Sequence, residues 1–253
     1  MTVTPTKRIS GPWATADSIP VHYSQQGDHI AVGSELHWAP WQFGFRSIDL
    51  EITVPQYTDL QIKNGSGNVS AQEITGDIKL RTGSGSILLN ALQGQLAVIT
   101  GSGSISANNV VGRVEMRTGS GGISTNHVHG AAILKTGSGT IAGTDMAGQI
   151  QLKTGSGVIQ VEQSMLNGSS SLKTGSGSIS FAGALDPTGN YQLRTGSGSI
   201  NLRLPAEAAF SLHAATGSGG VINEFGPNEV GSSPRAQLDL KTGSGGISIQ
   251  RSF

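Results

Sequence analysis

Cysteine is absent from all 253 residues, which excludes disulfides and thiolate chemistry and says little about compartment. Aromatic residues make up only 5% and charged residues 13%, with 16 Lys+Arg against 16 Asp+Glu. The chain is therefore neither a basic tail nor a disordered acidic one. No apolar run approaches the roughly 18 residues of a membrane span, and "MTVTPTKRISGPW" lacks the apolar stretch of a secretory signal. The expectation is a soluble chain, either cytoplasmic or with a targeting segment outside this sequence.

Glycine is abundant, at 38 residues, and it is periodic. Gly-Ser-Gly triplets begin at Gly65, Gly83, Gly101, Gly119, Gly137, Gly155, Gly175, Gly196, Gly217 and Gly243, at spacings of 18 five times and then 20, 21, 21 and 26. Thr precedes nine of the ten triplets and Asn64 the other, and two residues after each comes Ile or Val, from Val69 to Ile247. Segments such as "VEMRT" and "IQLKT" alternate with period two before the triplet, which reads as strand. A lone Gly seven residues ahead of the triplet (Gly76, Gly94, Gly112, Gly130, Gly148, Gly168, Gly189) marks a second turn.

One repeat thus reads as strand, turn at the lone Gly, strand, turn at Gly-Ser-Gly. It cannot bury its own apolar side, whereas identical repeats stacked about 4.8 Å apart bury Ile on Ile. The fold class that follows is all-β: a single-stranded β-solenoid (β-helix) of about ten coils with 18–21-residue repeats over residues 47–253, behind an N-terminal cap region, 1–46. Handedness stays open, with the right-handed wind favoured. Glycine is expected to supply positive φ and close backbone approach at the triplet corner, with Ser and Thr hydroxyls satisfying turn amides.

The cap region holds all three Trp, and "LHWAPWQFGF" (36–45) reads as an aromatic plug, or else as a carbohydrate-stacking platform. "SIDLEITVP" (47–55) alternates cleanly and is expected to begin the stack. At the other end the loop "NEFGPNEVGSSPRAQ" (223–237) is expected to fold over the last coils.

Catalytic readings of the glycines fail on chemistry. A phosphate loop needs Lys after the glycine run and a following helix, and calcium nonapeptides need Asp in each turn. An ice-binding face needs outward Thr ranks, and one inward Thr per coil does not supply them. Glycosidic cleavage needs clustered carboxylates, yet Glu115, Asp145, Glu162 and Asp186 share no column. The expectation is no enzyme and no cofactor. His127, His129 and Asp145 come together as a weak zinc-like set, outweighed by the reading of surface histidines at a turn.

One outward column stands out. Immediately before the Thr (Asn64 in the first repeat) stand Lys63, Arg81, Ile99, Arg117, Lys135, Lys153, Lys173, Arg194, Ala215 and Lys241. The cations Lys63, Arg81, Arg117, Lys135, Lys153, Lys173, Arg194 and Lys241 form the candidate binding ladder. Stacked like charges oppose one another by roughly 0.9 kcal/mol per pair in unscreened water. The bland alternative is a solvating row that discourages sheet pairing.

The run "IDLEITVPQYTDLQIKNGSGNVSAQEITGDIKLRTGSGSI" (48–87) resembles the bacterial adhesin-type family of β-strand-repeat proteins, domains of unknown function akin to auto-transporter adhesin heads. The likeness implies a solenoid at the cell envelope or outside the cell. The expected function is a non-enzymatic structural or adhesin-like rod, and the alternative is a polyanion- or polysaccharide-binding module using the ladder. Expected partners are an acidic surface polymer or another envelope protein, with end-to-end self-association as a further option and no specific nucleic acid.

Overall fold

The structure, a computed structural model, describes residues 2–10, 21–34 and 45–252. All regular elements among them are strands. Trp13, Trp38 and Trp41, and with them most of the expected aromatic plug, lie outside the described residues.

Two compact units divide the chain, Met1–Pro55 and Gln56–Phe253. In the first, Thr2–Ser10 pairs antiparallel with Phe45–Thr53, and Val21–Gln26 forms a hairpin with His29–Ser34. The alternating segment expected to open the stack is a strand, and it pairs with Thr2–Ser10. The parallel ladder begins at Leu60–Asn64.

The second unit is a β-solenoid of about eight turns in which ten triplet corners stack. The coil count falls below ten because the end levels are partial: the strand Val221–Asn223 has only three residues. Taking residues 105–122 as an example, the coil has three sides. Ile105–Asn108 forms the first, Val110 and Val111 a short second, and Val114–Thr118 the third. Apart from the corner residue Asn109, the residues of 105–118 pair in parallel with their equivalents 18 positions away, so Ile105 meets Ile87 and Ile123. Inward Ile141 and Ile159 are fully buried neighbours. Val221 breaks the inward column at 44% exposed, because its level is the outermost on that side and short.

The three sides need a corner that the repeat pattern does not announce. Glu73, Ala91, Asn109, His127, Asp145 and Gln163 all sit at φ between 49 and 57°, the left-handed region that L residues enter at a cost. In the first five of these coils the lone Gly three residues later also has positive φ, 131° at Gly112.

The triplet glycines owe their place to something else. None of them has a positive φ, which corrects that half of the expectation. Close approach is the reason: a Cβ on Gly139 would strike the carbonyl oxygen of Gly121 well inside van der Waals contact. The preceding Thr closes this corner. Thr136 donates Oγ1–H to Gly121 O (2.8 Å), and its Oγ1 accepts from Gly139 N–H (3.1 Å).

Coils numbered by sequence do not stack in sequence order. Asn190–Thr195 of coil eight pairs with Ala236–Thr242 of coil ten, and that strand pairs on its other side with Phe210–Thr216 of coil nine. Ile247–Ser252 likewise lies between Ile200–Pro205 and Val221–Asn223. The last coil is thus inserted beneath the ninth. The loop between them folds over the end as expected: Glu229–Val230 pairs antiparallel with coil nine, and Phe225 is buried edge-on against Phe210, ring centroids 5.2 Å apart. In coil eight, buried Tyr191 donates its hydroxyl to Leu166 O (2.8 Å) or Asp186 O (3.0 Å).

Candidate functional site

The third side of each coil ends at Thr, or at Asn64 in the first, and the residue before it points outward because the pleat alternates. Parallel register then places the members of this column directly on one another. Lys63 meets Arg81, Arg117 meets Lys135, Lys135 meets Lys153, Lys153 meets Lys173, and Lys173 meets Arg194. Ile99 interrupts the row between Arg81 and Arg117.

Insertion of the last coil changes the row. In sequence order Ala215 separates Arg194 from Lys241, whereas in space Arg194 meets Lys241 and Ala215 is relegated to the end. Arg117, Lys135, Lys153, Lys173, Arg194 and Lys241 therefore run without a break. Five steps of about 4.8 Å spread them over roughly 24 Å.

Acids reach only the flanks of this run. Glu115 accepts from Arg117 Nε (2.7 Å), and Asp239 pairs with Arg194 at 2.6 Å. Between them the neighbouring outward column reads Ile133, Gln151, Ser171 and Gln192, which is neutral. Among the described residues Lys135, Lys153 and Lys173 have no ion pair. Lys153 is exposed, and Lys135 and Lys173 are half-buried. All the expected ladder residues are thus brought onto one side.

The histidine set is also brought together, in a form different from a metal site. His127 Nε2 lies 3.4 Å from Asp145 Oδ2, and His129 Nε2 lies 3.6 Å from Oδ1, so each imidazole takes a different carboxylate oxygen. Among the described residues no group of three His, Cys, Asp or Glu could hold a metal ion. A shallow groove of about 400 Å³ crosses the first sides of the early coils at Ser70, Leu88 and Ser106. Its lining carries no titratable side chain, so it offers neither acid nor base.

The left-handed corner that carries His127 and Asp145 was missed by the repeat pattern. Its signal was a residue eight positions after the first triplet Gly, polar in five of six coils, a preference visible only once the corner is known.

No curated protein and no solved structure matches the chain. A family model described as Toastrack DUF4097 matches residues 14–250, across both compact units. With nearly its whole length matched, the chain belongs to the Toastrack DUF4097 family, a β-solenoid domain of unknown function and not a known enzyme family.

Proposed function

We propose that this protein is a non-enzymatic β-solenoid scaffold of the bacterial cell envelope, an adhesin-like rod whose basic side holds an acidic surface polymer. The observation that carries the binding reading is the unbroken run of six stacked cations from Arg117 to Lys241, four of them (Lys135, Lys153, Lys173 and Lys241) with no ion pair among the described residues. Envelope placement rests on the likeness to adhesin-type repeats.

Edge protection does not account for the row. Lys defends strand edges whose backbone groups are unpaired. Lys135, Lys153 and Lys173 lie in mid-stack, where both neighbours already occupy the ladder. Repulsion between stacked cations, under about 1 kcal/mol per pair in water, is a standing cost that a bound polyanion relieves. Recognition by such a row is electrostatic, indifferent to polymer sequence and steeply salt-dependent, because each neutralised anion releases counterions.

The test is heparin or inorganic polyphosphate against the full chain and the Lys135→Gln/Lys153→Gln/Lys173→Gln variant. The unmodified protein is expected to be retained at about 50 mM salt, and the variant to bind more weakly with a salt slope shallower by about two to three. No retention of the unmodified chain, or equal binding by the variant, makes the ladder a solubility device.

A further inference from the structure

The place that the last coil fills, between coils eight and nine, is a binding slot completed by the insert. Its walls are the strands of coil eight, Asn190–Thr195 and Ile200–Pro205, and those of coil nine, Phe210–Thr216 and Val221–Asn223. Both walls are synthesised before the segment that joins them. Until residues 236–252 arrive, coil eight presents an open parallel edge and coil nine has no parallel partner, and an open edge is a template for another strand.

The slot is specific in register and in chemistry. Thr242 Oγ1 donates to Gly198 O (2.7 Å) on one wall, and Thr216 Oγ1 of the other wall donates to Gly245 O (2.8 Å). Leu238, Leu240, Ile247 and Ile249 fill the core between the walls, all nearly fully buried. Ladder partners run from Asn190↔Gln237 to Thr195↔Thr242 and from Ile200↔Ile247 to Pro205↔Ser252. Every one of these determinants belongs to the chain itself, so a second copy carries an identical insert.

We infer that this slot is a self-recognition site: a second copy of this chain fills it with its own residues 236–252 during folding, giving a dimer exchanged through the C-terminal coil. Exchange is a low-cost route to dimers because the contacts of the closed monomer are reused. The connection from Glu224 to Arg235 is long enough, since twelve extended residues reach about 40 Å and the return to the slot spans only two or three levels. Against exchange stands Phe225, whose packing on Phe210 anchors the same connection in the closed form. Closed monomer therefore dominates when folding is dilute, and the dimer fraction rises with chain concentration.

The chain has no cysteine, which makes a direct test possible. Gln192 and Asp239 are ladder partners across the slot, at a separation that parallel strands share with disulfides. A Gln192→Cys copy and an Asp239→Cys copy, unfolded together and refolded under oxidising conditions, each bring one thiol. A 192–239 link then requires the coil of one molecule in the slot of the other. The expected result is a 192–239 linked dimer whose share grows in proportion to refolding concentration. Only 192–192 and 239–239 links, or a 192–239 link forming equally between already folded copies, overturns the inference. Unmodified protein serves as the second measurement: light scattering after refolding at high concentration is expected to show dimer, and monomer at every concentration overturns it.

Discussion

Thr154 donates its hydroxyl proton to the carbonyl oxygen of Gly139, one coil away, at 2.9 Å. The Thr154 hydroxyl oxygen, Oγ1, in turn accepts the Gly157 N–H at 3.1 Å. One buried side chain therefore satisfies a backbone acceptor of the coil below and a backbone donor of its own corner. Thr154→Val keeps the shape and strands both groups, which costs about 1–3 kcal/mol. Urea denaturation should show a lower midpoint at unchanged slope, with Thr154→Ser recovering the hydrogen-bond part of the loss. A Val variant as stable as the parent would remove the hydroxyl from the account of this corner.

Gly139 and Ser138 are adjacent and face opposite demands. A Cβ on Gly139 collides with Gly121 O, which as backbone of a packed level cannot move alone, whereas Ser138 is exposed. Gly139→Ala is expected to destabilise by about 1–3 kcal/mol through forced separation of two levels, and Ser138→Ala to stay within about 0.5 kcal/mol. Thermal melts of the two variants side by side check the asymmetry.

Stacking explains how much of this was legible. Each inward position must match its equivalents above and below, so the Ile column, the Thr column and the 18-residue period are written in the chain. The ladder could be aligned by the same counting. The left-handed corner was hidden because Glu73, Ala91, Asn109, His127, Asp145 and Gln163 share a backbone conformation without sharing a side chain. The exchanged order of coils nine and ten was hidden for the opposite reason: their Thr-Gly-Ser-Gly corners are alike, so either fits on coil eight. Only the 26-residue spacing and the loop before the last coil hinted at it.

Tyr191 is only 1% exposed, and burial, with the Asp186 carboxylate adding to it, pushes its hydroxyl up to about 12 from 10.0. The folded state thus holds the proton more tightly than the unfolded chain. Its contribution to stability is fully present below pH 10 and is lost as pH rises toward 12, on the order of 2–3 kcal/mol. Tyr191→Phe removes the donor to Leu166 O and Asp186 O, which lowers stability at neutral pH by about 1 kcal/mol. It also flattens the alkaline decline. Denaturant midpoints of both proteins between pH 8 and about 11 should converge. Curves that stay parallel would show that Tyr191 keeps no special hold on its proton.

Removing the end of an ordinary stacked array removes one level, because each repeat touches only its neighbours. Here the chain end is an interior level. A chain stopped at Arg235 loses Ala236–Thr242 and Ile247–Ser252, and with them the only parallel partner recorded for Phe210–Thr216 and for Val221–Asn223 among the described residues. Coil nine then retains its contacts with the connection alone: the antiparallel pairing with Glu229–Val230, the Leu212 N–H to Asn228 O and the Phe210–Phe225 ring contact. Hydrogen exchange on the truncated chain should show the amides of 210–223 unprotected along with the new edge at 190–205, while those of 105–161 keep their protection. Two levels are lost for the length of one. Full protection of 210–216 would mean instead that coil nine drops onto coil eight, pairing Thr216 with Thr195. The order seen here would then be imposed by the last coil and not by the connection at 206–209.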